Sequence, residues 1–179
     1  MSTSRKPGRR VAAFCVGALL FAAAACAVAW VSLRPRPHPV VQPIAFSHRV
    51  HVSGEEMECA DCHKRVGESP HATFPPVKYC MQCHEEPQGE HPDEPRVREY
   101  AQRGQEIPWV RVNRLPGHVY FSHASHVRDA KMECAECHGA MEDAEAPVTL
   151  PQIGHLDMGT CMACHRERGA SNDCLRCHK

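Results

Sequence analysis

Five times in 179 residues a cysteine is followed three positions later by a second cysteine and then at once by a histidine. The triplets are Cys59/Cys62/His63, Cys80/Cys83/His84, Cys134/Cys137/His138, Cys161/Cys164/His165 and Cys174/Cys177/His178, which together use ten of the twelve cysteines. Zinc ribbons and disulfide frameworks also pair cysteines, but neither needs a histidine behind the second one. Fourteen histidines fill a given slot about 8% of the time, so five chance hits out of five fall on the order of 3 in a million. The spacing suits covalent attachment of haem c: two thiols add to vinyl groups on one porphyrin edge, and the next imidazole reaches the iron as proximal ligand. Five covalently bound haem c groups are expected, held by those ten cysteines, with His63, His84, His138, His165 and His178 on the irons.

The amino-terminal stretch belongs to a different environment. Arg5, Lys6, Arg9 and Arg10 precede an uncharged run from Val11 to Leu33. As a helix that run is about 34 Å long, enough to cross a hydrocarbon core of about 30 Å. The basic cluster stays cytoplasmic and the rest is exported, which predicts a single-pass protein of a bacterial inner membrane with its haem domain in the periplasm. Two alternatives remain open: cleavage after Ala27-Val28-Ala29, and lipidation of Cys26. Against the first, the apolar run is longer than the usual signal-peptide core; against the second, Ala23 replaces the customary leucine and the run continues past the cysteine. Cys15 and Cys26 read as small apolar residues of the span. No histidine lies between Val11 and Leu33, so this helix offers no obvious haem ligand.

Residues 1–33 are thus the anchor, and 34–43, with four prolines, an extended arm. The remainder, 44–179, is internally duplicated. Phe46-Ser47-His48-Arg49-Val50-His51 matches Phe121-Ser122-His123-Ala124-Ser125-His126, and Met57-Glu58-Cys59 matches Met132-Glu133-Cys134, all at an offset of 75. Repeat one is 44–84, a connector 85–117, repeat two 118–165, and 166–179 carries the fifth haem. The acidic, proline-rich start of the connector reads as a solvated charge run, with a short helix near Val97–Arg103 broken by Gly104 and a packing role for Trp109. The 136 residues beyond the arm allow roughly 27 per haem, too few for an ordinary apolar core. The expected fold is mostly α with little regular structure, little or no sheet, the haems as core, and no stable fold without them.

Nine histidines remain for the distal faces. His48 and His123 each stand eleven residues before a first cysteine, and His51 and His126 follow three later. Two histidines so spaced can serve different haems. With His118 they make five distal candidates for five irons, which favours closed, electron-transferring haems over a catalytic open site. Met158 is a further candidate that would raise the potential of one haem. His71 and His155 are reserves, and His38 and His91 read as solvent-exposed. The formal charge of zero omits about ten propionate charges that five haems bring, which arginines beyond residue 95 are expected to answer. No phosphate loop, nucleophile triad or nucleic-acid patch appears, so catalysis by this chain alone is not expected.

The F-x-H-x-x-H ahead of C-x-x-C-H resembles the cytochrome c3/c7 class of multihaem cytochromes, where the first histidine ligates the following haem and the second a neighbour. The single span, the two-plus-two-plus-one motif layout, Leu115-Pro116-Gly117-His118-Val119-Tyr120-Phe121-Ser122-His123 and Asp157-Met158-Gly159-Thr160-Cys161 resemble the membrane-anchored pentahaem subunits of alternative complex III. The related multihaem subunits of menaquinone reductases share much of this and typically carry six haems. The resemblance implies an electron relay from quinol oxidation towards a cytochrome c or terminal oxidase. Its implied partners are an iron–sulfur subunit and polytopic quinone-binding membrane subunits. A stand-alone quinol dehydrogenase and a menaquinone-reductase subunit are the alternative readings.

Overall fold

The computed structural model describes residues 8–33, 38–153 and 156–178, and the chain divides into two units, 1–38 and 39–179. The first unit is the helix α1, Gly8–Ser32. Its stretch Val11–Ser32 is long and apolar enough to cross a membrane, and its side chains are exposed throughout. Of the proline-rich arm, residues 34–37 lie outside the described residues.

The second unit is helical in short pieces. Helices α2 (Cys59–Cys62), α3 (Val77–His84), α4 (Pro95–Gln102), α5 (Ala135–His138), α6 (Met158–Glu167) and α7 (Cys174–Cys177) are joined by turns. The expectation of sparse, mostly helical structure holds: among the described residues the only β-pairing is an isolated antiparallel bridge between Val119 and His178. All five attachment motifs lie on or against these helices, and local chemistry starts and stops them. The backbone N–H of Glu58 donates to the Asp61 carboxylate at 2.8 Å, and that of Glu133 to Glu136 at 3.0 Å, so the acid inside each first motif folds back over the helix start. Asp157 accepts from the Thr160 N–H at 2.8 Å and Asp173 from the Leu175 N–H at 3.0 Å, starting α6 and α7. Pro95 opens α4 at a position where a missing N–H costs nothing. Gly104 (φ 63°) then closes it, with Gln105 N–H reaching the Tyr100 carbonyl at 2.9 Å.

The duplication extends to backbone detail. After each F-S-H-x-x-H the chain winds into one wide π-turn, Val50–Gly54 and Ser125–Asp129. It then reverses through a left-handed residue, Glu56 (φ 52°) or Lys131 (φ 54°), again 75 apart. Met57 N–H and Met132 N–H close these reversals on the carbonyls of His51 and His126. Non-glycine residues adopt this conformation only when the surroundings enforce it. The same geometry in both repeats positions two imidazoles ahead of each first motif.

Two expectations need correction. The tail of the arm is part of the second unit: Val40 N–H donates to the Thr149 carbonyl at 3.0 Å, and the Gln42 amide bridges the backbones of Val110 and Val148. Four prolines signalled an extended strand but not its backbone partners. The connector is also packed rather than merely solvated. Val97 and Ile107 join Ile44 and Val77 in the principal apolar cluster, against which Met81, Tyr100 and Trp109 pack; Glu94 is buried beside it. Charged residues flank those few apolar ones so densely that the buried face does not stand out in sequence. The polypeptide's own core is small: no described side chain is fully buried, and only Ile44, Val77, Val97, Ile107 and Ala124 are buried hydrophobics. Shortening Ile107 to alanine is expected to cost about 2–3 kcal/mol. Denaturant titration of the intact protein checks this, with haem absorbance per chain unchanged.

Candidate haem-binding sites

The histidines that precede the motifs are brought to the histidines within them. Ring centroids of His51 and His84 lie 6.1 Å apart, of His123 and His138 6.3 Å, and of His126 and His165 6.2 Å, with interplanar angles of 34°, 11° and 26°. His118 and His178 are 5.5 Å apart at 21°. Burial and then His63, which is near enough to act on it, lower the pKa of His48. Phe46 on His51 and Phe121 on His126 lie nearer, stacked at 4.4 and 4.6 Å. Two imidazoles bound by one nitrogen each to opposite sides of a metal, at bonds of about 2.0 Å, have centroids about 6.3 Å apart. Three pairs meet that spacing and the carboxy-terminal pair falls short of it by under 1 Å.

Hydrogen bonds select which nitrogen is free. Nδ1 of His51, His63, His126 and His165 lies 2.8 Å from the carbonyl oxygens of Ser47, Thr73, Ser122 and Ser171 respectively. Nδ1 of His123 lies 3.0 Å from the Pro70 carbonyl, and that of His84 2.9 Å from the Glu94 carboxylate. A carbonyl or carboxylate accepts only, so where it is the one partner Nδ1 carries the proton and Nε2 keeps its lone pair, a tautomer suited to binding metal through Nε2; at His123 the Ala72 N–H also lies 3.3 Å from Nδ1. The Asn113 amide lies 3.4 Å from His138 Nδ1. His48 differs: its Nδ1 is buried without a hydrogen-bond partner. Burial, then His63, then His51 lower its pKa, while burial, His123 and His63 do the same for His138, which keeps both imidazoles neutral.

The aromatic residues orient the pairs. Phe46 meets His48 edge-on at 4.9 Å and Phe121 meets His123 at the same distance, both at 89°. Each phenyl ring therefore braces both imidazoles of its repeat. A cavity of about 500 Å³ adjoins His126 and His165, lined also by Pro70, Tyr120, Phe121 and Arg176. Its apolar walls and single cation suit a macrocycle with acidic side chains. No group of three or more His, Cys, Asp or Glu side chains converges as a metal-ion site among the described residues, and none of the cysteines is paired. The paired imidazoles and adjacent thiols fit haem c.

The thiols also reveal how the motifs adjoin. Burial raises the Cys80 thiol pKa, with a further rise from Cys62, which links motifs two and one. Burial and then Cys59 raise Cys134, linking one and three. Burial and then Cys164 raise Cys137, linking three and four; burial and then Cys177 raise Cys161, linking four and five. Motif one thus adjoins motifs two and three, and motif four adjoins motifs three and five. Between the halves, His123 N–H and Ala124 N–H donate to the carbonyls of Pro70 and Ser69. Tyr120 N–H donates to the Cys177 carbonyl at 2.8 Å, which holds α7 against the His118 segment.

Other predicted residues are not brought together. Met158 stands 65% exposed at the start of α6. A methionine near a motif is a ligand signal only if the chain folds back over the iron, and here it opens a helix instead. His71, His38 and His91 are exposed, and His155 lies outside the described residues. Glu94 was missed by sequence reasoning. Its carboxylate is held down at about 2, first by Arg98 and then by His84. Nothing in the sequence separates it from Glu85, Glu86, Glu90 and Glu99 around it. The backbone carbonyls that orient the other imidazoles carry no side-chain signal at all.

The sequence profile described as cytochrome c7 and related cytochrome c matches residues 44–102 and again 119–179, one match to each half of the duplication. The chain is 33% identical over 161 residues to the multiheme cytochrome c subunit of menaquinone reductase from Nitratidesulfovibrio vulgaris strain Hildenborough, covering 77% of each chain.

Proposed function

The chain belongs to the cytochrome c7 family of electron-transferring multihaem cytochromes, and from this we propose that it relays electrons within a membrane quinone-oxidoreductase complex. Haem c, when bound, supplies a one-electron ferric/ferrous couple. The reading assigns five such groups to the ten motif cysteines. His63, His84, His138, His165 and His178 are the proximal ligands, and His48, His51, His123, His126 and His118 respectively are the distal ones. The observation that carries it is the set of imidazole pairs at metal-spanning separation with Nδ1 committed elsewhere. With both faces of each iron taken by protein, the chain passes electrons and admits no substrate. Met158 is then outside the ligand set.

In this reading residues 1–33 anchor the protein in the inner membrane with the amino terminus cytoplasmic, and the haem unit is periplasmic. A lone span without histidine makes a poor quinone site, so quinol is oxidised by polytopic partner subunits beside an iron–sulfur subunit, and electrons leave towards a cytochrome c or terminal oxidase. Five attachment motifs favour the pentahaem subunit of alternative complex III; the 33% identity to a menaquinone-reductase subunit supports the neighbouring alternative. Extraction from native membranes in mild detergent tests the reading. Expected is co-purification with polytopic and iron–sulfur subunits, quinol reducing the haems only in their presence. Quinol oxidation at an undiminished rate by this chain alone would overturn it.

A further inference from the structure

The duplication provides an internal control for a feature found in one half alone. The pairs His51/His84 and His126/His165 occupy equivalent places, and the leading histidine of each has its Nδ1 against a serine carbonyl at 2.8 Å. The motif histidines differ. His165 Nδ1 faces the Ser171 carbonyl, a neutral acceptor, whereas His84 Nδ1 faces the Glu94 carboxylate. That carboxylate is built in place: its side chain is 7% exposed, and Arg98 grips both oxygens at 2.7 and 2.8 Å. Gln88 N–H adds a fourth contact at 3.1 Å. Among the described residues no other motif histidine is bonded to a carboxylate.

An anionic acceptor on Nδ1 draws the proton away from the ring and makes Nε2 a stronger donor to iron, which favours the ferric state. We infer that Glu94 is a positioning residue that sets the haem on Cys80/Cys83 lower in reduction potential than its duplicate on Cys161/Cys164. Between those two haems, electrons at equilibrium favour the one on Cys161/Cys164. Each exchange between neighbours moves one electron and no proton. The inference rests on the ligand assignment proposed above.

Redox titrations of the detergent-solubilised protein, followed by optical and electron paramagnetic resonance spectra, test it. In Glu94→Gln one midpoint is expected to rise by a tenfold shift in its reduction equilibrium, 59 mV for a one-electron couple. In Arg98→Met the same midpoint is expected to fall, because the carboxylate is then uncompensated. The moving component is identified by its absence from a protein lacking Cys80 and Cys83. Unmoved midpoints in Glu94→Gln, or both substitutions shifting the component the same way, would overturn the inference while five low-spin haems leave the ligand assignment standing. Should Glu94→Gln not assemble, the sign of the Arg98→Met shift decides alone. Fewer than five haems, or an open iron, in the unaltered protein would instead fault the assignment itself.

Discussion

His48→Ala is expected to give a protein that binds one equivalent of carbon monoxide per chain when reduced, where the parent binds none, with every haem still attached. Attachment depends on Cys59, Cys62 and His63, none of which is touched. The distal face depends on an imidazole whose Nδ1 is buried and without a partner, and which burial and His63 keep neutral. Alanine reaches no iron, and among the described residues no other histidine is placed to replace it: His51 is opposite His84, and Phe46 contacts both imidazoles of the repeat. The change is from a closed to an open site, so the signal is the appearance of high-spin absorption and carbon monoxide difference bands. Met158→Leu, made as a comparison, is expected to leave both unaltered.

The second large effect concerns the order of the row. Alanine at both Cys59 and Cys62 is expected to leave four haems, one of which exchanges electrons with the others orders of magnitude more slowly. Alanine at Cys80 and Cys83 also leaves four, but these equilibrate at the parental rate. The asymmetry follows from the thiol neighbours: Cys80 adjoins Cys62, while Cys134 adjoins Cys59. Motif one is thus expected to act as a bridge between motifs two and three. If the row followed the chain, removing motif two would isolate motif one and the two variants would behave alike. Rapid-mixing reduction followed in the haem bands distinguishes these outcomes.

Much of the site was legible in the sequence because haem attachment is local chemistry. Three residues within five positions carry the whole requirement, and duplication at an offset of 75 repeats the distal histidines in register with it. The helical caps are equally local, as the return of Asp61 and Glu136 to the preceding backbone N–H illustrates. Pairing is not local. The spacing of His48 and His51 allows two imidazoles to serve different haems but does not show that His51 meets His84, 33 residues on. Which motifs adjoin depends on how repeat two is laid against the Ser69–Ala72 turn, through backbone bonds from His123 and Ala124 that any residues would make. Glu94 belongs to the same class. Its burial beside Val97 is a product of the packing of α4 on α3, and a carboxylate in an acidic stretch gives no sign of being the one turned inward.

These elements share one physical basis. On the proposed assignment, a chain that buries so few side chains of its own is organised by its ligand pairs, which tie segments far apart in sequence to common centres. Each pair joins a π-turn, an extended segment or a carboxy-terminal turn to a motif helix. Losing one ligand therefore perturbs a junction of the fold as well as a redox centre, and folding and haem attachment are coupled.

Intact-mass measurement of the purified protein, combined with the spin state of its irons, addresses the central assignment directly. The account predicts five covalent haem adducts on one chain, all low-spin with two histidine ligands and none taking up carbon monoxide. A smaller number of adducts, or a haem in the unaltered protein that binds carbon monoxide stoichiometrically, would contradict it.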